Sequence, residues 1–93
     1  MNNVNGIDLE IEKQQSRLER LQIVREALLS DAEKFENVVA RTVRAWGDTD
    51  LVWDWLCKPL LRFNDRMPLE AVLDGDEDQV LQLINAIEHG VYL

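Results

Sequence analysis

Five residues that end or restart helices, Gly47, Pro59, Pro68, Gly75 and Gly90, divide the second half of this 93-residue chain at intervals of seven to fifteen residues. Glycine accepts the left-handed conformation that closes a helix, and proline cannot donate the hydrogen bond that a helix interior needs. Between these breaks, apolar residues recur every three or four positions, which is the period of a helix and not the alternation of a strand. A chain divided in this way is confined to short helices that cover one another's apolar faces.

From Ile7 to Trp46 the chain carries no such break. From Ile7 to Leu29, the residues Ile7, Ile11, Leu18, Leu21 and Leu28 fall three, four or seven apart, with Glu, Gln, Lys and Arg between them. This predicts one long amphipathic helix. Its stripe is interrupted by Gln14 and Arg25, and it serves either to pack on its own domain or to pair with a second copy. Ser30-Asp31-Ala32-Glu33 has the form of a capping box and predicts the start of a second helix. That helix carries Phe35, Val38, Val39, Thr42, Val43 and Trp46, and Gly47 ends it.

Asp48 or Thr49 caps a short third helix with Leu51, Val52, Trp55 and Leu56 on its apolar face. Leu60, Leu61 and Phe63 are expected to anchor the connection that follows, and Asn64, Asp65 and Arg66 to form a turn. Pro68 opens a two-turn helix bearing Leu69, Val72 and Leu73, which Gly75 closes. Asp76, Glu77 and Asp78 put negative charge at the positive end of a fifth helix with the stripe Val80, Leu81, Leu83, Ile84 and Ile87. Gly90 stops it before Val91, Tyr92 and Leu93. The fold class read from the pattern is all-α: a single domain, residues 1–93, built as a small bundle of about five helices.

A hydrophobic fraction of 46% beside 30% charged residues is that of a folding chain, not a disordered one. One core at this length is thin, so self-association or a partner fits the size. The net charge of −8 is unevenly held, with ten acidic and three basic residues in 48–93. It opposes a dominant phosphate-binding surface and suits a basic partner. The lone Cys57 excludes an intrachain disulfide, and neither a signal-like N-terminus nor a membrane-length apolar run is present, so a cytoplasmic location without membrane contact is expected.

No cofactor, metal or catalytic set is expected. His89 and Cys57 lie 32 positions apart on different predicted elements, which supports neither a thiol nucleophile with its base nor a zinc set. Asp74, Asp76, Glu77 and Asp78 lack the alternation and closing glutamate of a calcium loop and read as a solvated helix start. The basic side chains Lys34, Arg41 and Arg44, with Lys13, Arg17 and Arg20, are the available surfaces for DNA. Interleaved glutamates make a salt-bridged solvent face the better reading. Trp53 and Trp55 point about 200° apart on a helix, so one of them faces away from the core, where it either meets a partner or second copy or covers another helix edge.

The run Leu51 to Leu93 resembles the toxin-binding domain of bacterial Xre/MbcA/ParS-type antitoxins. The matching pieces, in order, are Trp55-Leu56, Pro68-Leu69-Glu70 with Leu73, Val80, and Ile87-Glu88-His89-Gly90-Val91-Tyr92; Phe35 to Asp50 extends the match upstream. The resemblance implies that residues 48–93 bind a RES-domain toxin, an enzyme that attacks NAD, and neutralise it by covering its active-site entrance. It places Trp55 at a core position. It implies a partner-facing set of Glu88, His89, Gly90, Val91, Tyr92 and Leu93, to which Trp53 and Arg66 are added. His89 near a helix C-terminus is also a common stabilising choice in its own right.

Members of that family place a helix-turn-helix region ahead of this domain, whereas some 30 residues forming one long helix do not hold one, which puts DNA binding in doubt. The turn before Pro68 carries Asn64 and Asp65 where the family has glycines, and these residues tolerate the same conformations. Residues 7–46 are left as a helical hairpin or dimerisation part. Two other functions fit the same residues: a helical dimeric transcriptional regulator presenting Lys13, Arg17 and Arg20 to DNA, and a stand-alone or mobile-element protein that uses the same surface to bind a different protein.

Overall fold

The computed structural model describes residues 3–90 and contains five α-helices: α1 (Asn3–Ser30), α2 (Glu33–Trp46), α3 (Thr49–Leu56), α4 (Pro68–Leu73) and α5 (Glu77–Glu88). A single 3₁₀ turn, Leu61–Phe63, joins α3 to α4. Among the described residues there is no strand, only one isolated bridge between Leu60 and Arg66. The all-α bundle expected from the periodicity is the architecture observed. Among the described residues no helix is long and apolar enough to cross a membrane.

The core is made almost wholly by α2 to α5. Helix α2 contributes Phe35 and Val38, α3 Val52 and Leu56, the 3₁₀ turn Phe63, α4 Leu69, Ala71 and Val72, and α5 Val80 and Ile84. Met67, just ahead of α4, is fully buried with them. Thr42 is the one buried polar side chain among the described residues, and its hydroxyl donates to the Val38 carbonyl at 2.6 Å, the local bond that lets a threonine sit inside a helix core.

Helix α1 adds only Val24 to the fully buried set, with Leu21, Ala27 and Leu28 half-buried beside it. Its 28 residues span about 42 Å, which nearly accounts for the 47 Å long dimension of the molecule. The Cα radius of gyration is 15.1 Å, against about 12 Å for a compact chain of this size. The N-terminal half of α1 therefore projects beyond the bundle. The expected single stripe is in fact two faces. Val24, which the stripe omitted, packs inward, while Ile7, Ile11 and Leu18 are 60%, 49% and 56% exposed.

Several local expectations are corrected. The Ser30 hydroxyl does not cap α2: α1 runs through Ser30, whose Oγ donates back to the Ala27 carbonyl at 3.4 Å. The N-cap of α2 is Ala32, already in the helical region and without a side-chain bond. Leu61 is not an anchor, because the 3₁₀ turn that plants Phe63 in the core leaves Leu61 exposed. Leu51 and Val43, assigned to apolar faces, are likewise exposed. Helix α1 also starts at Asn3, four residues before the expected Ile7, while the ends of α2, α3 and α4 fall as read. Asp48 Oδ1 accepts from the backbone of Asp50 and Leu51 at 2.9 and 3.3 Å, and Gly47 closes α2 at φ 74°.

Candidate protein-binding surface

Helices α3 and α5 pack on opposite flanks of α2, and the proposed contact residues divide between those flanks. On one flank, Trp53 of α3 is 40% exposed and lines a shallow apolar groove of about 360 Å³ with Leu28, Ala32, Phe35, Val39 and Ala40. Trp55, two residues on, turns inward and is half-buried against Trp46, with ring centroids 5.1 Å apart at 32°. The exposed tryptophan is flanked on its own helix by the exposed residues Asp50, Leu51 and Asp54. The edge is both apolar and negative.

On the other flank, Glu88 at the end of α5 accepts from Arg41 Nη2 at 3.3 Å. Arg41 Nε is buried without a hydrogen-bond partner. His89 caps α5: its backbone N–H donates to the Asn85 carbonyl at 3.2 Å, and its Nδ1 lies 2.7 Å from the same oxygen. Gly90, at φ 73°, turns the chain out of the helix. Val91, Tyr92 and Leu93 lie outside the described residues. Trp53 and Glu88 therefore do not share a surface: groove residue Glu36 and ion-pair residue Arg41 are about 140° apart around α2.

Arg66 is held by the fold itself. Its Nη1 donates to Asp74 Oδ2 at 3.0 Å and Asp76 Oδ2 at 2.9 Å, and its Nε to the Phe63 carbonyl at 2.9 Å. The Asp76 hydrogen bond, followed by that to Asp74, raises the guanidinium pKa. Those two carboxylates thus converge on an internal cation. Among the described residues, no group of three or more His, Cys, Asp or Glu side chains is arranged to hold a metal.

A second ion pair was not foreseen. Arg20, read from sequence as part of a basic solvent face, meets Glu70 in a bidentate contact of 2.9 and 2.6 Å and also donates to the Asp65 carbonyl at 2.6 Å. Burial alone would raise the Glu70 pKa. The Arg20 hydrogen bond, the Met67 N–H at 2.9 Å and the charges of Arg20 and Arg66 outweigh it and hold the carboxyl below its ordinary range. The signal available in sequence was Glu70 three residues after Met67, the residue ahead of Pro68, the position from which a glutamate reaches back to the N-cap amide.

Two further basic side chains reach backbone carbonyls across the fold. Lys34 Nζ donates to the Leu73 carbonyl at 3.1 Å, and Arg17 makes a long 3.5 Å bond to the Cys57 carbonyl. Cys57 is half-buried, and desolvation pushes its thiol above the usual value, with Arg17 opposing. This environment disfavours a thiolate nucleophile. No family model, curated protein or solved structure matches the chain.

Proposed function

We propose that the chain is a non-catalytic binding protein, an antitoxin that neutralises a RES-domain, NAD-attacking toxin by covering its active-site entrance with residues 48–93. The observation that carries the reading is the position of the residues that bear the resemblance. Leu56, Leu69 and Val80 are fully buried, Trp55, Glu70 and Ile87 are half-buried on α3, α4 and the last turn of α5, and His89 caps that last turn. They are parts of one packed unit rather than scattered words. The acidic edge beside Trp53 supports a basic protein partner, and the internal use of Arg20, Lys34 and Arg41 weakens the case for DNA.

In this reading the α5 terminus, from Glu88 through the residues after Gly90, faces the toxin, and Trp53 adds a second contact on the far flank of α2. The test is NAD consumption by a RES-domain protein encoded beside the chain. Added full-length chain abolishes turnover, and a chain lacking residues 90–93 keeps its helical content but inhibits at least tenfold less. Unimpaired NAD consumption at saturating chain contradicts the reading, and unchanged inhibition by the truncated chain removes the tail from it.

A further inference from the structure

The projecting half of α1 offers a second interface, independent of the toxin reading. Ile7, Ile11 and Leu18 lie within about 40° of one another around the helix, and Val24, which faces the bundle, is rotated about 120° from their centre. The exposed stripe therefore remains open while α1 is docked. It forms a shallow groove lined by Ile7, Glu10, Ile11, Gln14, Gln15 and Leu18.

We propose that two copies of the chain pair through this stripe as a short antiparallel coiled coil. In heptad terms, Ile11 and Leu18 occupy the first core position of successive repeats, and Ile7 and Gln14 the second. Antiparallel pairing stacks Ile7 on the second copy's Leu18 and Ile11 on the second copy's Gln14, and symmetry repeats both layers. The same register sets Glu10 beside the second copy's Arg17, twice. Arg17 is available for this, since its internal bond to the Cys57 carbonyl is long at 3.5 Å.

Charge decides between the two orientations. The first part of α1 holds Asp8, Glu10 and Glu12 against Lys13 and is net negative, and the second holds Arg17, Arg20 and Arg25 against Glu19 and Glu26 and is net positive. Parallel pairing would align like with like and place Arg25 on Arg25 inside the seam. Antiparallel pairing leaves Arg25 beyond the overlap, opposes the helix dipoles and puts the two bundles at opposite ends. The overlap of residues 7–18 is only about 17 Å long, so the dimer is weak and depends on concentration.

Sedimentation of the full chain over a concentration series tests the proposal. A reversible monomer–dimer equilibrium is expected. Ile11→Asp, on an exposed position, is expected to give monomer throughout with unchanged circular dichroism. Glu10→Arg and Arg17→Glu each create two like-charge pairs and weaken the dimer roughly tenfold. Mixing the two variants brings opposite charges together at both sites and restores association. A monomeric wild-type chain, or an Ile11→Asp variant that still dimerises, overturns the proposal. Failure of the mixture to associate better than either variant alone overturns the antiparallel register.

Discussion

Glu70 meets three demands with one carboxylate: it accepts the Met67 N–H at the start of α4, pairs with Arg20 of α1, and is partly removed from water. Replacing Arg20 by alanine removes one partner and leaves the other partly buried, so Arg20→Ala is expected to cost about 1–2 kcal/mol in a denaturant titration. The same contact sets an acid limit. A carboxyl whose folded-state pKa is depressed stabilises the fold fully above its unfolded value, about 4.5, and that contribution is lost as pH falls through the lower folded-state value. Wild-type stability is thus expected to begin falling below about pH 4.5, and less steeply in the Arg20→Ala variant. An acid profile identical for the two proteins would contradict this. Trp53 makes the opposite prediction: Trp53→Ala costs under about 1 kcal/mol of stability but weakens toxin binding by about 1–2 kcal/mol, read by calorimetry of both. That Trp53 and Trp55 face different ways was legible from their spacing alone. The Arg20–Glu70 pair was not, because its members are 50 residues apart and meet only where α1 crosses α4.

At the scale of elements, the legible features were those written in backbone chemistry. Gly47, Asp48, Pro68 and Gly75 mark helix ends because few residues accept those conformations or make those bonds. Gly47→Ala is expected to lower stability by about 1 kcal/mol through its φ of 74° alone, since a methyl there would meet nothing within 4 Å. A loss several times larger in thermal unfolding would mean that the site is crowded after all. The Ser30 cap was misread because the motif satisfies a helix start only if the preceding helix has ended, and α1 has not. The α1 stripe was misread for a related reason. Periodicity reports that a face is apolar but not what covers it, and here the second half of one helix turns its face to the bundle while the stripe Ile7, Ile11 and Leu18 stays exposed.

Across the whole molecule, the sequence pattern was enough for the helical class and the core of α2 to α5, because each helix is short, capped and apolar on one side. The projection of α1 and the separation of Trp53 from the α5 terminus by the width of α2 needed three dimensions. The residues that carry the antitoxin resemblance prove mainly structural: Leu56, Leu69 and Val80 fill the core, Glu70 caps and clamps, and His89 closes α5. Their order reports how this unit folds, and in the proposed reading the choice of partner falls to other groups, among them the exposed acidic edge around Trp53. A weak α1 dimer would carry two such units at opposite ends and let one assembly hold two toxins. The most direct test of the central claim is affinity purification of the tagged full-length chain from its own cells, followed by mass spectrometry. The account predicts a RES-domain protein recovered in near-equal amount, and recovery of the chain alone or with an unrelated protein would contradict it.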